Sequence, residues 1–298
     1  KPGMTQAEAD EVVADLRADS TAYGDTPLRP FATLDYAVGQ CTANRGDVIV
    51  LMENHDESPN AADFVALDVA GISVVGLGQG TNRPTFDFIT AAGANFSITA
   101  ANVTVGPGIR FTCTIASQTA MIDVGTGAGV TITGNEFREG TATGLTFITV
   151  SGLATDLAIT DNFFYAPTAG NYTRAIRINS GGAFARLKIT GNTIYGDFDT
   201  AGIGSTNAFT DAVITNNKVT NIQANQPATL FTGAVTGVFG DNHHGAEWRL
   251  SHAGYVASAD GATNGTYTLF TVTGVVEIQG MYGVCTGAPT GAATIEVG

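Results

Sequence analysis

Asp197-Phe198-Asp199 sets two acids at alternate positions, so on an extended strand both project from one side, next to Tyr195. Glycoside hydrolysis needs two carboxyl groups ~5–10 Å apart on either side of one bond, one handling the proton and the other acting as nucleophile or activating water. Asp197 and Asp199 are therefore the candidate catalytic pair. Asp156 with Asp161, and Asp211 with Asp241, supply further carboxylates near chain reversals. Aspartate is equally a solvent-exposed turn residue, and no stretch gathers a convergent set of acids. The expectation is a protein that does not catalyse a reaction.

His243-His244 beside Asp241 has the residue types of an acid–base or metal constellation. His244, however, falls in an otherwise apolar column described below, which reads as a histidine at a core junction. His55 and His252 are isolated. Cys41, Cys113 and Cys285 are odd in number and far apart, unlike a disulfide framework or a CxxC metal site. The runs Gly76–Gly80 and Gly125–Gly129 follow strands but open no helix, so they read as turn glycines and not as phosphate loops. No metal and no cofactor are expected. Phe163-Phe164-Tyr165 and Tyr195 with Phe198 fit two roles, a sugar-stacking platform on an outer face or packing in the core and between subunits.

The elements that must hold these residues come from a repeat. Val-Thr-Ile-Thr-Gly-Asn-Glu-Phe (130–137), Leu-Ala-Ile-Thr-Asp-Asn-Phe-Phe (157–164), Leu-Lys-Ile-Thr-Gly-Asn-Thr-Ile (187–194), Ala-Val-Ile-Thr-Asn-Asn-Lys-Val (212–219) and Gly-Val-Phe-Gly-Asp-Asn-His-His (237–244) align on Asn135, Asn162, Asn192, Asn217 and Asn242. Their spacings of 27, 30, 25 and 25 residues are those of stacked supersecondary units. Ile132, Ile159, Ile189, Ile214 and Phe239 form one inward column. Phe137, Phe164, Ile194, Val219 and His244 form another, with Thr alternating between them at the period of a half-buried strand. Gly-Asn, Asp-Asn and Asn-Asn turn the corner. The five Asn are expected to stack as a ladder that satisfies buried polar groups.

Thirteen Lys plus Arg against 27 Asp plus Glu give a net charge of −14, with lysine only at positions 1, 188 and 218. Clustered positive charge is what binds phosphate backbones and anionic bilayers. Nucleic acid and membrane are therefore excluded as expected partners. No apolar signal segment or ~18-residue apolar run occurs, so synthesis and assembly are expected in a cytoplasm.

Residues 1–30 read as an N-terminal helical arm and linker, with Thr5 and Glu8 forming a capping box. Its narrow stripe of Val12, Val13 and Leu16 must dock on something else, with another chain as a candidate partner. Phe31, Leu34, Ala37 and Val38 predict a short helix that plugs the first coil of a body spanning 31–245. Residues 246–298, with the only tryptophan (Trp248) and glycine-broken strands, read as a small β-domain.

Gly24-Asp25-Thr26-Pro27, Arg29-Pro30-Phe31-Ala32-Thr33-Leu34 and Gly46-Asp47-Val48-Ile49-Val50 resemble the opening of right-handed parallel β-helices of the pectate-lyase type. Gly71-Ile72-Ser73-Val74-Val75-Gly76-Leu77-Gly78, Arg83-Pro84-Thr85-Phe86 and Thr268-Leu269-Phe270-Thr271-Val272-Thr273-Gly274 look more narrowly like bacteriophage virion proteins with a β-helix body and a small C-terminal β-domain. The resemblance covers most of residues 22–298. It implies an all-β, right-handed parallel β-helix, here of roughly seven to nine coils at ~25 residues each, in a component that is often a homotrimer.

The leading expectation is a trimeric capsid decoration or cement protein on the outer surface of a phage particle, binding the major capsid protein and stabilising the head. The alternatives are a receptor-binding tail spike or fibre that meets a host surface glycan, and a polysaccharide-degrading spike enzyme. Of the polygalacturonase elements Asn-Thr-Asp, Asp-Asp, Gly-His-Gly and Arg-Ile-Lys, the chain offers only Arg177-Ile178-Asn179, a partial match to the last.

Overall fold

The computed structural model describes residues 18–58, 65–89, 91–140, 144–168, 172–179, 184–221, 229–233, 235–240 and 243–244. Each coil contributes one strand to each of three parallel faces. The first face contains Val48–Leu51, Ser73–Gly76, Thr104–Val105, Thr131–Thr133, Ala158–Thr160, Lys188–Thr190, Phe209–Thr215 and Val235–Gly240, with the short strand Phe184–Ala185 paired beside it. The second contains Asp56–Glu57, Thr85–Phe88, Arg110–Cys113, Glu136–Glu139, Phe163–Ala166, Thr193–Gly196, Lys218–Asn221 and His243–His244. Val65–Leu67, Phe96–Ile98, Ile122–Val124, Thr146–Val150, Arg174–Ile178, Ile203–Ser205 and Thr229–Phe231 make the third.

This is a parallel β-solenoid. Six full turns separate the first and last rungs of the third face, so seven coils have all three strands among the described residues and an eighth is begun.

Register follows the apolar columns. Ile132, Ile159, Ile189 and Ile214 pair in one line, each fully buried, and Phe239 continues the line in register. On the second face Phe86, Phe111, Phe137, Phe164, Ile194 and Val219 form the matching line, with His244 next in register. The phenylalanines stack along the axis: Phe111 to Phe137 and Phe137 to Phe164 have ring centroids 4.9 and 4.8 Å apart at 10° between planes. That spacing is set by the ~4.8 Å separation of parallel strands.

The Asn ladder forms chiefly through the backbone. Oδ1 of Asn162, Asn192 and Asn217 accepts the N–H of Asn135, Asn162 and Asn192 at 3.0, 3.0 and 3.1 Å. Nδ2 of Asn162, Asn192 and Asn217 donates to the carbonyls of Ile132, Ile159 and Ile189, each at 2.9 Å. Amide-to-amide bonds add Asn162 to Asn192 and Asn192 to Asn217 at 3.2 and 2.9 Å. Each corner thus satisfies peptide groups that a coil reversal leaves unpaired inside the body.

The plug helix is Leu34–Gly39, capped by the Thr33 side chain, which accepts from Tyr36 N–H, and burying Leu34, Ala37 and Val38. Asp35 accepts the N–H of Ala66 at 3.0 Å, closing part of the open edge of the third face. The linker before it is tied back to the same cap, because Asp19 accepts from the backbone of Ala32 and Thr33 and from the Thr33 hydroxyl. Val12, Val13, Leu16, the Thr5–Glu8 box, Asp241, Asn242 and the whole of 246–298 lie outside the described residues.

Candidate recognition surface

Asp197 and Asp199 flank Phe198, which is fully buried, just past the end of the strand Thr193–Gly196; Asp199 is exposed and Asp197 half-buried. The segment bonds back to the preceding coil through Asp197 N–H to Ala166 and Asp199 N–H to Tyr172, at 2.8 and 3.0 Å. One Asp197 carboxylate oxygen is enclosed without a hydrogen-bond partner.

Asp156 and Asp161 occupy corners, and Asp211 the register irregularity within the strand Phe209–Thr215. Asp156, Asp161 and Asp211 have φ of 58°, 56° and 55°, the left-handed region that short polar side chains tolerate. Asp156 also pairs with Arg186 of the next coil at 2.5 and 2.7 Å, and that hydrogen bond holds its carboxyl below the usual range. Their geometry is that of turn formers. His243 and His244 sit in register with Lys218 and Val219.

The second face concentrates chemistry that the residue spacings did not reveal. Outward positions Arg110, Glu136 and Phe163 are one register line, and Arg138, Tyr165 and Tyr195 the line beside it. Three guanidiniums surround the buried carboxylate of Glu136. Arg83 Nη1 reaches Oε2 at 2.7 Å, Arg110 donates to it at 3.2 and 3.1 Å, and Arg138 bonds Oε1. Burial pushes the Glu136 carboxyl up, but the Arg138 bond and the Arg110 charge outweigh it and hold the group below its ordinary value.

Three guanidiniums thus converge on one carboxylate in a chain that is acidic overall. Nε of Arg83 is also enclosed without a partner. The signal is present in the sequence as Arg110 standing one coil before Glu136, upstream of the five aligned copies.

Beside the cations runs an aromatic line. Arg138 lies 5.4 Å from the Tyr165 ring centroid, and Tyr165 stacks on Tyr195 at 5.5 Å and 11°. Phe163 flanks Tyr165 on the same strand at 6.4 Å. Phe164 and Phe198, their neighbours in sequence, point inward and belong to the core.

A guanidinium closes one end of the stack. At the other end Tyr195, 40% exposed, is followed in register by the much smaller Thr220. Part of a ring face therefore stays open beside the arginine cluster. Such an arrangement binds flat apolar faces, as of sugar rings, next to anionic substituents. No protein-family model matches the chain, and no curated protein or solved structure matches it.

Proposed function

We propose that this chain is a non-catalytic virion structural protein, a trimeric capsid decoration or cement protein that binds the major capsid protein of its particle and stabilises the head shell. The observation that supports it is the outward side of the first face. Ser73, Thr104, Thr131 and Ala158 form one register line there, and Thr133, Thr160, Thr190 and Thr215 the next. Val48, Val213 and Val238 extend the first of these lines while exposed at 58, 37 and 61%. Lys188 is the charged residue on these lines.

A flat surface of methyl and hydroxyl groups loses little hydration when covered by protein, because it brings few charges to desolvate. The ladders beneath keep it rigid, so little entropy is lost on docking. Three chains engaging together multiply the affinity of each.

The test is the number of copies per purified particle, by quantitative mass spectrometry against the major capsid protein, with light scattering of the isolated protein. Many copies and a mass three times the 30.5 kDa chain are expected. A handful of copies would overturn the decoration reading. It would favour a second one, a receptor-binding spike or fibre that meets an acidic host glycan, which the Arg138–Tyr165–Tyr195 line supports.

A further inference from the structure

We propose that Arg174 and Arg177, on the third face, form a receptor for a tetrahedral oxyanion of sulfate or phosphate type. The two side chains are three residues apart, an odd separation that in a regular strand sends them to opposite sides. Here they emerge on the same side, because Ala175 and Ile176 are both buried and both donate their N–H to the Gly202 carbonyl, at 2.9 and 3.0 Å. Two donors on one carbonyl mark a β-bulge.

The preceding coil repeats the bulge. Thr146, Phe147 and Ile148 are buried in succession, and the hydroxyls of Thr146 and Thr149 meet at 2.6 Å. Arg174 and Arg177 stand in register with those two threonines, so the rung that brings the hydroxyls together brings the guanidiniums together.

Three features make this a cleft and not a chance pair. Gly204, in register with Arg177, leaves its side-chain space to Arg174: a Cβ there would stand 2.5 Å from Arg174 Nε. That Nε is enclosed and has no hydrogen-bond partner. Asn179 and Thr206 complete a small opening over the two cations. Among the described residues no carboxylate is paired with either arginine. Burial, and then the neighbouring Arg177 charge, pull the Arg174 pKa down, the direction expected of cations held together without an anion. Two guanidiniums offer several N–H donors at differing angles, which suits a tetrahedral anion better than one planar carboxylate.

The test uses the full chain, with sodium sulfate and inorganic phosphate as probes and sodium chloride at equal ionic strength as reference. Sulfate and phosphate should raise the thermal midpoint and shift the Arg174 Nε–H resonance along a saturating curve, with acetate several-fold weaker. Arg177→Met should raise the half-saturating concentration at least tenfold, and Arg177→Lys should recover part of it. Tighter binding of a sulfated disaccharide than of sulfate would assign the site to a substituent on a glycan, and equal binding to the free ion. Identical midpoints in sulfate and chloride would overturn the proposal. So would unchanged saturation in Arg177→Met, or an Arg174 resonance already hydrogen-bonded and indifferent to added anion, as when a carboxylate of a second copy fills the cleft.

Discussion

Ile189 lies between Ile159 and Ile214 in the first-face column, with no exposed surface. Truncating it to Ala opens a cavity that the flanking rungs cannot collapse, since strand spacing fixes them. Ile189→Ala should therefore cost about 2–5 kcal/mol, read as a lower midpoint in chemical denaturation; an unchanged midpoint would contradict the register. Asn162→Ala leaves the Asn135 N–H and the Ile132 carbonyl buried without their partners. A loss of about 1–3 kcal/mol is expected, by the same measurement. At Asp197 and Asp199 the expectation is chemical: the purified protein leaves capsule and lipopolysaccharide intact, and Asp197→Asn or Asp199→Asn makes no difference. Depolymerisation by the parent that either change abolishes would establish a spike enzyme.

The element that most depends on charge is the second face around Glu136. Its carboxyl is held below its ordinary value in the folded chain, so it stabilises the fold above the unfolded pKa of about 4.3. That stabilisation is lost as pH falls through the folded value. Glu136→Gln should thus be less stable than the parent at pH 7, and the gap should narrow as the solution is acidified below about pH 4.3. Thermal midpoints from pH 7 to pH 3 test this; a gap that stays constant with pH would show that the arginines contribute nothing through charge. The variant also frees three guanidiniums from their common acceptor, so the Arg138–Tyr165 contact should loosen with it.

For the whole molecule, the linker is fastened to the first coil by Asp19, and residues 1–17 precede that fastening. Removing residues 1–17 keeps Asp19 and the plug helix, so the body should remain folded, with the same number of chains per assembly in light scattering as the parent. Under the proposed function it should no longer attach to its particle, because the apolar stripe of Val12, Val13 and Leu16 would anchor it there. Full occupancy of the shortened chain on particles would move the anchor elsewhere, with the flat first face as the next region to alter. The ladders give the body its stiffness: the described strands pair from each coil to the adjacent one, so stability grows rung by rung and is not concentrated in one centre.

The sequence by itself determined the coil. A local pattern, Ile three residues before Asn and an apolar residue two after it, with Phe239 and His244 in those places in the last copy, fixes strand, corner and inward face together, and repetition at one-coil intervals dictates that like stacks on like. The plug helix was legible for the same reason, its apolar spacing being local. What tertiary structure decided are the relations that cross coils at unequal intervals. The partners of Glu136 lie 53 and 26 residues earlier and two later, and nothing in any one segment marks them as a set. The pairing of Arg174 with Arg177 depends on a bulge that reverses strand parity, and that bulge exists only because one carbonyl of the next coil accepts two N–H groups. Alternation is a property of a single strand, and its breaking is a property of the stack.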